Sequence, residues 1–144
     1  HVWMPLGKQV CIVGGGLVGA ELAEFLALRG RKVSLIEESG KFAVELPLVR
    51  RWRVLEELKQ LSVVMINHTR LLRVSGRQLA IDCQGSEVEI EADTVILASG
   101  ACGDLSLAER AREMGYETHV AGDCDGVSYL EGAMRSAHQV ATAL

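Results

Sequence analysis

The stretch VCIVGGGLVGAELAEFLALRGRKVSLIEES, residues 10–39, constrains this chain more than any other. The apolar run KQVCIVG reads as a buried parallel strand and ends in consecutive glycines. From Leu17 the pattern turns helical, with Val18, Leu22, Phe25, Leu26 and Arg29 spaced by three and four, and Gly30 stands where a helix would stop. KVSLIEE follows as a second strand that ends in acid. Strand, glycine turn, helix and strand in this order make a βαβ unit.

The turn contains G-x-G-x-x-G as Gly14, Gly16 and Gly19. Three glycines in six residues are a weak signal alone, and the context gives them weight. Gly14 permits the tight exit from the strand, Gly16 removes the side chain that would block a pyrophosphate, and Gly19 lets the helix lie close on the strand. The turn from Gly14 through Gly15 and Gly16 to Leu17, Val18 and Gly19 therefore reads as a phosphate cradle, because the helix start offers unpaired N–H groups and a positive dipole end. The confirming acid of such a cradle follows after about 20 residues. Glu37 comes 18 residues after Gly19, directly behind VSLI. A carboxylate there accepts hydrogen bonds from both ribose hydroxyls and repels a 2′-phosphate, and Glu38 adds a second negative charge. NAD(H) is favoured over NADP(H), although Arg31, Lys41 and Arg50 are cations that could serve a 2′-phosphate. The competing reading is a tight βα turn with no ligand.

Further along, Pro47 opens a second helix to Leu61 with Leu48, Val49, Trp52, Leu55, Leu58 and Leu61 as its apolar face, and SVVMIN is a third strand. Residues 69–91 change character: TRLLRV, RQLAIDC and EVEIEA are short segments separated by SG and QGS, and they read as an antiparallel meander. DTVILASG returns to the apolar parallel type. DLSLAERAREMG is a short helix, ETHVAGDC a last strand and SYLEGAMRSAHQVATAL a terminal helix. The fold class expected is α/β: a Rossmann-like, doubly wound parallel sheet of order 3-2-1-4-5 with an antiparallel β-meander crossover. Residues 1–7, which begin with His1 and carry Pro5 and Gly7, read as a linker or cloning remnant. Residues 8–144 read as a nucleotide-binding domain cut from a longer protein.

Composition removes several classes. The formal charge is −4 with scattered Lys and Arg, so no basic face addresses nucleic acid. The longest apolar run is far short of the ~20 residues that cross a bilayer, so no membrane partner is expected. Cys11, Cys83, Cys102 and Cys124 form no C-x-x-C pair, and the histidines have no spacing that brings two rings to one metal. Free thiols in a reducing cytoplasm are the expectation, with no metal site.

With the cradle, the meander and the ILASG and VAGDC turns in hand, the chain resembles flavoproteins of the pyridine nucleotide-disulfide oxidoreductase type. It is similar in particular to the C-terminal part of the NADH:flavin oxidoreductases of the 2,4-dienoyl-CoA reductase, enoate reductase and trimethylamine dehydrogenase group. The likeness is strongest over residues 8–38 and 87–144. It implies that Gly14 to Gly19 hold the NAD(P)H pyrophosphate and that Glu21 lies on the nicotinamide side; a dipole-complementing acid in the first helical turn is the alternative for Glu21. It implies that Ser99 and Gly100 let the chain pass close to the dinucleotide, against a plain strand end. Residues from about 115 to 144 look like the closing segment of a flavin adenine dinucleotide (FAD) domain, with Gly122 and Asp123 at the flavin cofactor. The glycine motif of that domain would lie outside this sequence, so flavin binding by these residues alone is not expected. The loop ACGDLSLAE departs from the pattern, because it lacks the Arg-Pro-Asn-like residues common after this glycine.

The resemblance implies an NAD(H)-binding portion of a multi-cofactor oxidoreductase that presents the nicotinamide hydride to a flavin. FAD, FMN and a 4Fe-4S cluster belong to the full-length parent, which reduces an unsaturated substrate of the enoyl-CoA, dienoyl-CoA or enoate kind. Its partners are the dinucleotide and the parent's flavin and barrel domains. No side chain here needs to act as acid or base, so no catalytic residue is nominated and the portion alone should bind without turnover. The rival is a non-catalytic ADP or nucleotide module of an amine dehydrogenase-like flavoprotein. An independent small dehydrogenase is the weakest reading, since one α/β unit already consumes the chain.

Overall fold

A computed structural model describes residues 5–144, and the chain divides into two units, one ending at Gly100 and one formed by Ala101–Leu144. In the first unit, β1 (Gln9–Val13), α1 (Leu17–Ala27), β2 (Lys32–Ile36), α2 (Leu48–Gln60) and β3 (Val64–Ile66) follow in sequence. The meander β4 (Thr69–Ser75), β5 (Gln78–Cys83) and β6 (Ser86–Glu91) comes next, and β7 (Thr94–Leu97) closes the unit. The parallel sheet has the order β3-β2-β1-β7, and β4-β5-β6 form a separate antiparallel sheet.

Alternation along β1 and β2 explains the layering. Val10, Ile12, Val33 and Leu35 point to one face, where they pack with Ala20, Ala23 and Leu26 of α1 and Val54 and Leu58 of α2. Cys11 and Ile36 point to the other face, where Leu79 and Ile81 of β5 cover them. Both faces of the sheet are thus dry, which suits strands that read as continuous apolar runs. Helices cover one face and the meander covers the other.

The helix faces differ from those read off the sequence. In α1 the buried positions are Gly19, Ala20, Ala23 and Leu26, while Val18 and Phe25 are exposed and Phe25 stacks under Arg29 at 3.5 Å. Small residues let α1 approach the sheet closely, which periodicity of large apolar residues does not register. In α2, Val54 and Leu58 are buried, whereas Leu48, Val49 and Trp52 are exposed and Pro47 is the N-cap.

The second unit holds α3 (Ser106–Glu113), a short 3-10 turn at Asp123–Asp125 and α4 (Tyr129–Ala143). The fifth strand expected in ETHVAGDC does not form, and the parallel sheet has four strands. A lone extended segment has no ladder to join, and Ala101–Leu144 contains no other strand to provide one. No residue of this unit is buried.

Candidate functional site

Parallel α/β sheets bind ligands beyond the carboxyl ends of their strands. At that end of β1 the chain turns through Gly14, Gly15 and Gly16 into α1, and the surrounding backbone requires two of the three motif glycines. Gly14 has φ +105°, and a Cβ there would strike the Ala98 carbonyl and come within 2.9 Å of the Ser99 nitrogen. A Cβ on Gly19 would overlap the carbonyl oxygen of Gly14, so this glycine lets the helix close on the turn. Gly16 has an ordinary φ of −66°, and a Cβ there would meet only the end of a flexible side chain, Glu45 Oε1 at 2.6 Å. Gly14 and Gly19 are thus demanded by backbone packing, and Gly16 by neither strain nor backbone.

α1 begins at Leu17 with Gly16 as its N-cap, which has no side chain to cap the helix, and no acid lies in its first turn. Its leading N–H groups therefore need partners from elsewhere. The Leu17 N–H donates to Glu45 Oε2 at 3.1 Å. Glu45 lies in the loop between β2 and α2, and no sequence motif pointed to it. The loop folds back because Phe42 and Ala43 are buried, the Phe42 ring lies against Gly15, and the Ala43 N–H donates to the Gly15 carbonyl at 2.7 Å. Arg51 Nε donates to the Phe42 carbonyl at 2.7 Å and fixes the loop from α2.

Glu37, directly after β2, turns its carboxylate to the same turn. Its Oε2 accepts the Gly15 N–H at 2.6 Å and its Oε1 accepts the Ser39 N–H at 2.8 Å. Partial burial pushes the Glu37 pKa up, but the Ser39 and Gly15 backbone amides together with the Ser39 hydroxyl outweigh it and hold the value below the ordinary one. The carboxylate is therefore charged and oriented, and two of its roughly four lone-pair positions are taken by these amides.

The other sequence-derived positions divide. Ser99 and Gly100 follow β7, beside Gly14, with the Ala98 N–H bonded to the Val13 carbonyl at 2.7 Å and Gly100 at φ +103°. Glu38 is exposed next to Glu37. Glu21 is exposed and lies past the first turn of α1, so the first-turn dipole role does not apply to it. Arg31 precedes β2 at its opposite end, about 20 Å along the strand from the acid, which removes it as a cation for a 2′-phosphate. Gly122 and Asp123 belong to the second unit. There the Gly122 N–H donates to Ser136 Oγ at 2.8 Å and Asp123 Oδ1 accepts the Ser128 N–H at 3.0 Å, contacts that order their own segment.

A cleft lined by Gln9, Arg31, Lys32 and Ser62 sits at the amino ends of β1 and β2, the wrong end of the sheet for a dinucleotide. All four cysteines are free. Cys11 is fully buried, and burial pushes its thiol pKa up to about 11, so it acts as a small core residue. No helix among the described residues is long and apolar enough to cross a membrane.

Residues 1–128 match the family model of the pyridine nucleotide-disulphide oxidoreductases. The chain is 30% identical over 125 residues to a bilirubin reductase of Mediterraneibacter gnavus, covering 87% of this chain and 19% of that protein. It is 28% identical over 136 residues to an NADH oxidase of Thermoanaerobacter brockii, covering 93% and 21%. The chain thus spans about a fifth of the length of these curated relatives. Among solved structures, its fold is like that of a 2-naphthoyl-CoA reductase in complex with 2-naphthoyl-CoA, with TM-score 0.86, 23% identity, and coverage of 98% of this chain and 22% of that one. It is also like histamine dehydrogenase from Rhizobium sp. 4-9, with TM-score 0.84, 19% identity, and coverage of 96% and 23%.

Proposed function

Since the chain belongs to the pyridine nucleotide-disulphide oxidoreductase family, we propose that it is the NAD(H)-binding portion of a flavin oxidoreductase, serving to present a nicotinamide hydride to a flavin. The observation that carries this reading is the pairing of Glu37 with the glycine turn. A charged carboxylate is held 2.6 Å from the Gly15 N–H, beside a helix start whose N-cap, Gly16, is free of side chain. Pyrophosphate at the start of α1 and adenosine ribose at Glu37 fit that arrangement. Gly14 and Gly19 hold the turn closed, and Glu37 and Glu38 disfavour a 2′-phosphate.

Bound NADH supplies the hydride, and the residues of this chain bind and orient it. Ser99 and Gly100 lie at the neighbouring strand end, where the dinucleotide would continue past Gly14, and Glu21 is assigned to its nicotinamide side. Gly122 and Asp123 are assigned to a flavin adenine dinucleotide that needs the rest of the parent. The FMN and iron-sulfur cluster would also be the parent's. The substrate class we assign is an unsaturated acyl-CoA or enoate, in keeping with the name of the naphthoyl-CoA reductase whose fold it shares.

A second reading draws on a specific feature: the Gly15, Leu17 and Glu37 contacts all serve the ADP half of a dinucleotide. A module that keeps ADP, in an amine dehydrogenase-like parent, would use the same contacts. Calorimetric titration of the chain with NADH, NADPH and ADP, alongside Glu37→Ala, separates the two. Hydride presentation predicts NADH tighter than ADP and NADPH, with about tenfold or more of the NADH affinity lost in Glu37→Ala. ADP binding as tightly as NADH would replace the hydride reading with the module.

A further inference from the structure

The geometry points to Glu45 as a built-in competitor of the dinucleotide: its carboxylate occupies the phosphate end of the cradle and must leave before a pyrophosphate can bind. This inference rests on the nucleotide-binding reading above and concerns the regulation of the same site.

Three observations place the carboxylate there. Glu45 Oε2 accepts the Leu17 N–H at 3.1 Å, the first amide of the helix that would hold the phosphates. Its Oε1 lies 2.6 Å from where a Cβ of Gly16 would stand, in the space that the missing side chain leaves. The backbone that carries it is anchored on the turn itself, through the Ala43 N–H on the Gly15 carbonyl, the Leu46 N–H on the Ala43 carbonyl at 3.2 Å, and Arg51 on Phe42. Ala43 accepts a left-handed φ of 48° within this loop.

The chemistry of the contact is that of an anion at a helix start, and a side-chain carboxylate there satisfies the same amides and dipole as a phosphate oxygen. Two anions cannot share the place. Nucleotide binding therefore requires the Glu45 side chain to rotate into solvent, which is open to it because Glu45 is exposed while its backbone stays clamped. The competition sets a threshold on nucleotide affinity: the empty turn is kept capped, and only a ligand with phosphate charge at the helix start displaces the cap. The acid in the first turn that α1 lacks is supplied from the loop instead.

The test is calorimetric titration of the full chain and of Glu45→Gln and Glu45→Ala with NADH, ADP and adenosine. Glu24→Gln, which removes one charge from the far part of α1, serves as the charge control, and melting curves confirm that each variant is folded. Glu45→Gln and Glu45→Ala should bind NADH and ADP about threefold to tenfold tighter than the parent chain, with adenosine and Glu24→Gln unchanged. NADH binding by the parent chain that is equal or weaker in both Glu45 variants overturns the competition and leaves the dinucleotide reading standing. An equal gain for adenosine also overturns it, because the carboxylate would then not compete with phosphate. Folded parent and variants that all fail to bind NADH and ADP overturn the inference together with the reading beneath it.

Discussion

The two units of this chain contain similar local signals and use them differently. Both carry a glycine-bearing turn followed by a helix: Gly14 to Gly19 leads into α1, and Gly122 and Gly126 precede α4. In the first unit the turn rests on a sheet buried on both faces, with Ile12, Leu35 and Leu58 fully enclosed on one side and Cys11, Leu79 and Ile81 on the other. In the second unit nothing is buried, and Leu107, Met114, Leu130 and Met134 lie at the surface. A glycine motif therefore becomes a defined cradle only where strands beneath it fix its position. Elsewhere the same residue types yield a turn held by a few local hydrogen bonds.

The same substitution made in both units tests that contrast most strongly. Leu35→Ala removes a fully buried side chain between β2 and α1 and should cost about 3 kcal/mol, read as a large drop in melting temperature. Leu130→Ala, at 85% exposure, should change stability by no more than about 0.5 kcal/mol. Similar losses at the two positions would mean that the second unit buries Leu130 in solution, and the contrast would fail.

A smaller effect sharpens the account of the turn itself. Glu37 has its pKa held below the ordinary 4.5 in the folded chain, so its contribution to stability is fully present above that value. It is lost as the pH falls through the lowered folded value. The difference in melting temperature between the parent chain and Glu37→Gln should be constant at neutral pH, about 2 °C, should begin to shrink as the pH falls below the ordinary 4.5, and should close once it passes the lowered folded value. A gap that widens on acidification would show that the carboxylate is not held by the Gly15 and Ser39 amides.

The parts of this arrangement that were legible in the sequence are those whose causes are local. Gly14, Gly16, Gly19 and Glu37 stand at fixed offsets in one βαβ unit, and the short segments separated by SG and QGS mark the meander. What escaped the sequence depends on packing between distant segments. Glu45 belongs to no motif, and it reaches the cradle because Phe42 and Ala43 fold onto Gly15. The buried face of α1 is made of Leu26 and the small Gly19, Ala20 and Ala23, which carry almost no periodic signal, while Val18 and Phe25, which mark the helical spacing, lie exposed. The segment ETHVAGDC has strand-like composition, but composition cannot supply the neighbour that a strand requires.

The central claim is that the turn is shaped for a dinucleotide and is more than a tight connection, and Gly16 isolates it. Unlike Gly14 and Gly19, Gly16 has an ordinary φ, and an added Cβ would meet only the movable end of Glu45. The measurement is NADH affinity by calorimetry for Gly16→Ala beside its melting temperature. The account predicts a fold that melts within a few degrees of the parent, at a cost of no more than about 1 kcal/mol, with NADH binding weakened about tenfold or more. Unchanged NADH affinity in a folded Gly16→Ala chain would show that no pyrophosphate approaches this backbone, and the cradle would be only a turn.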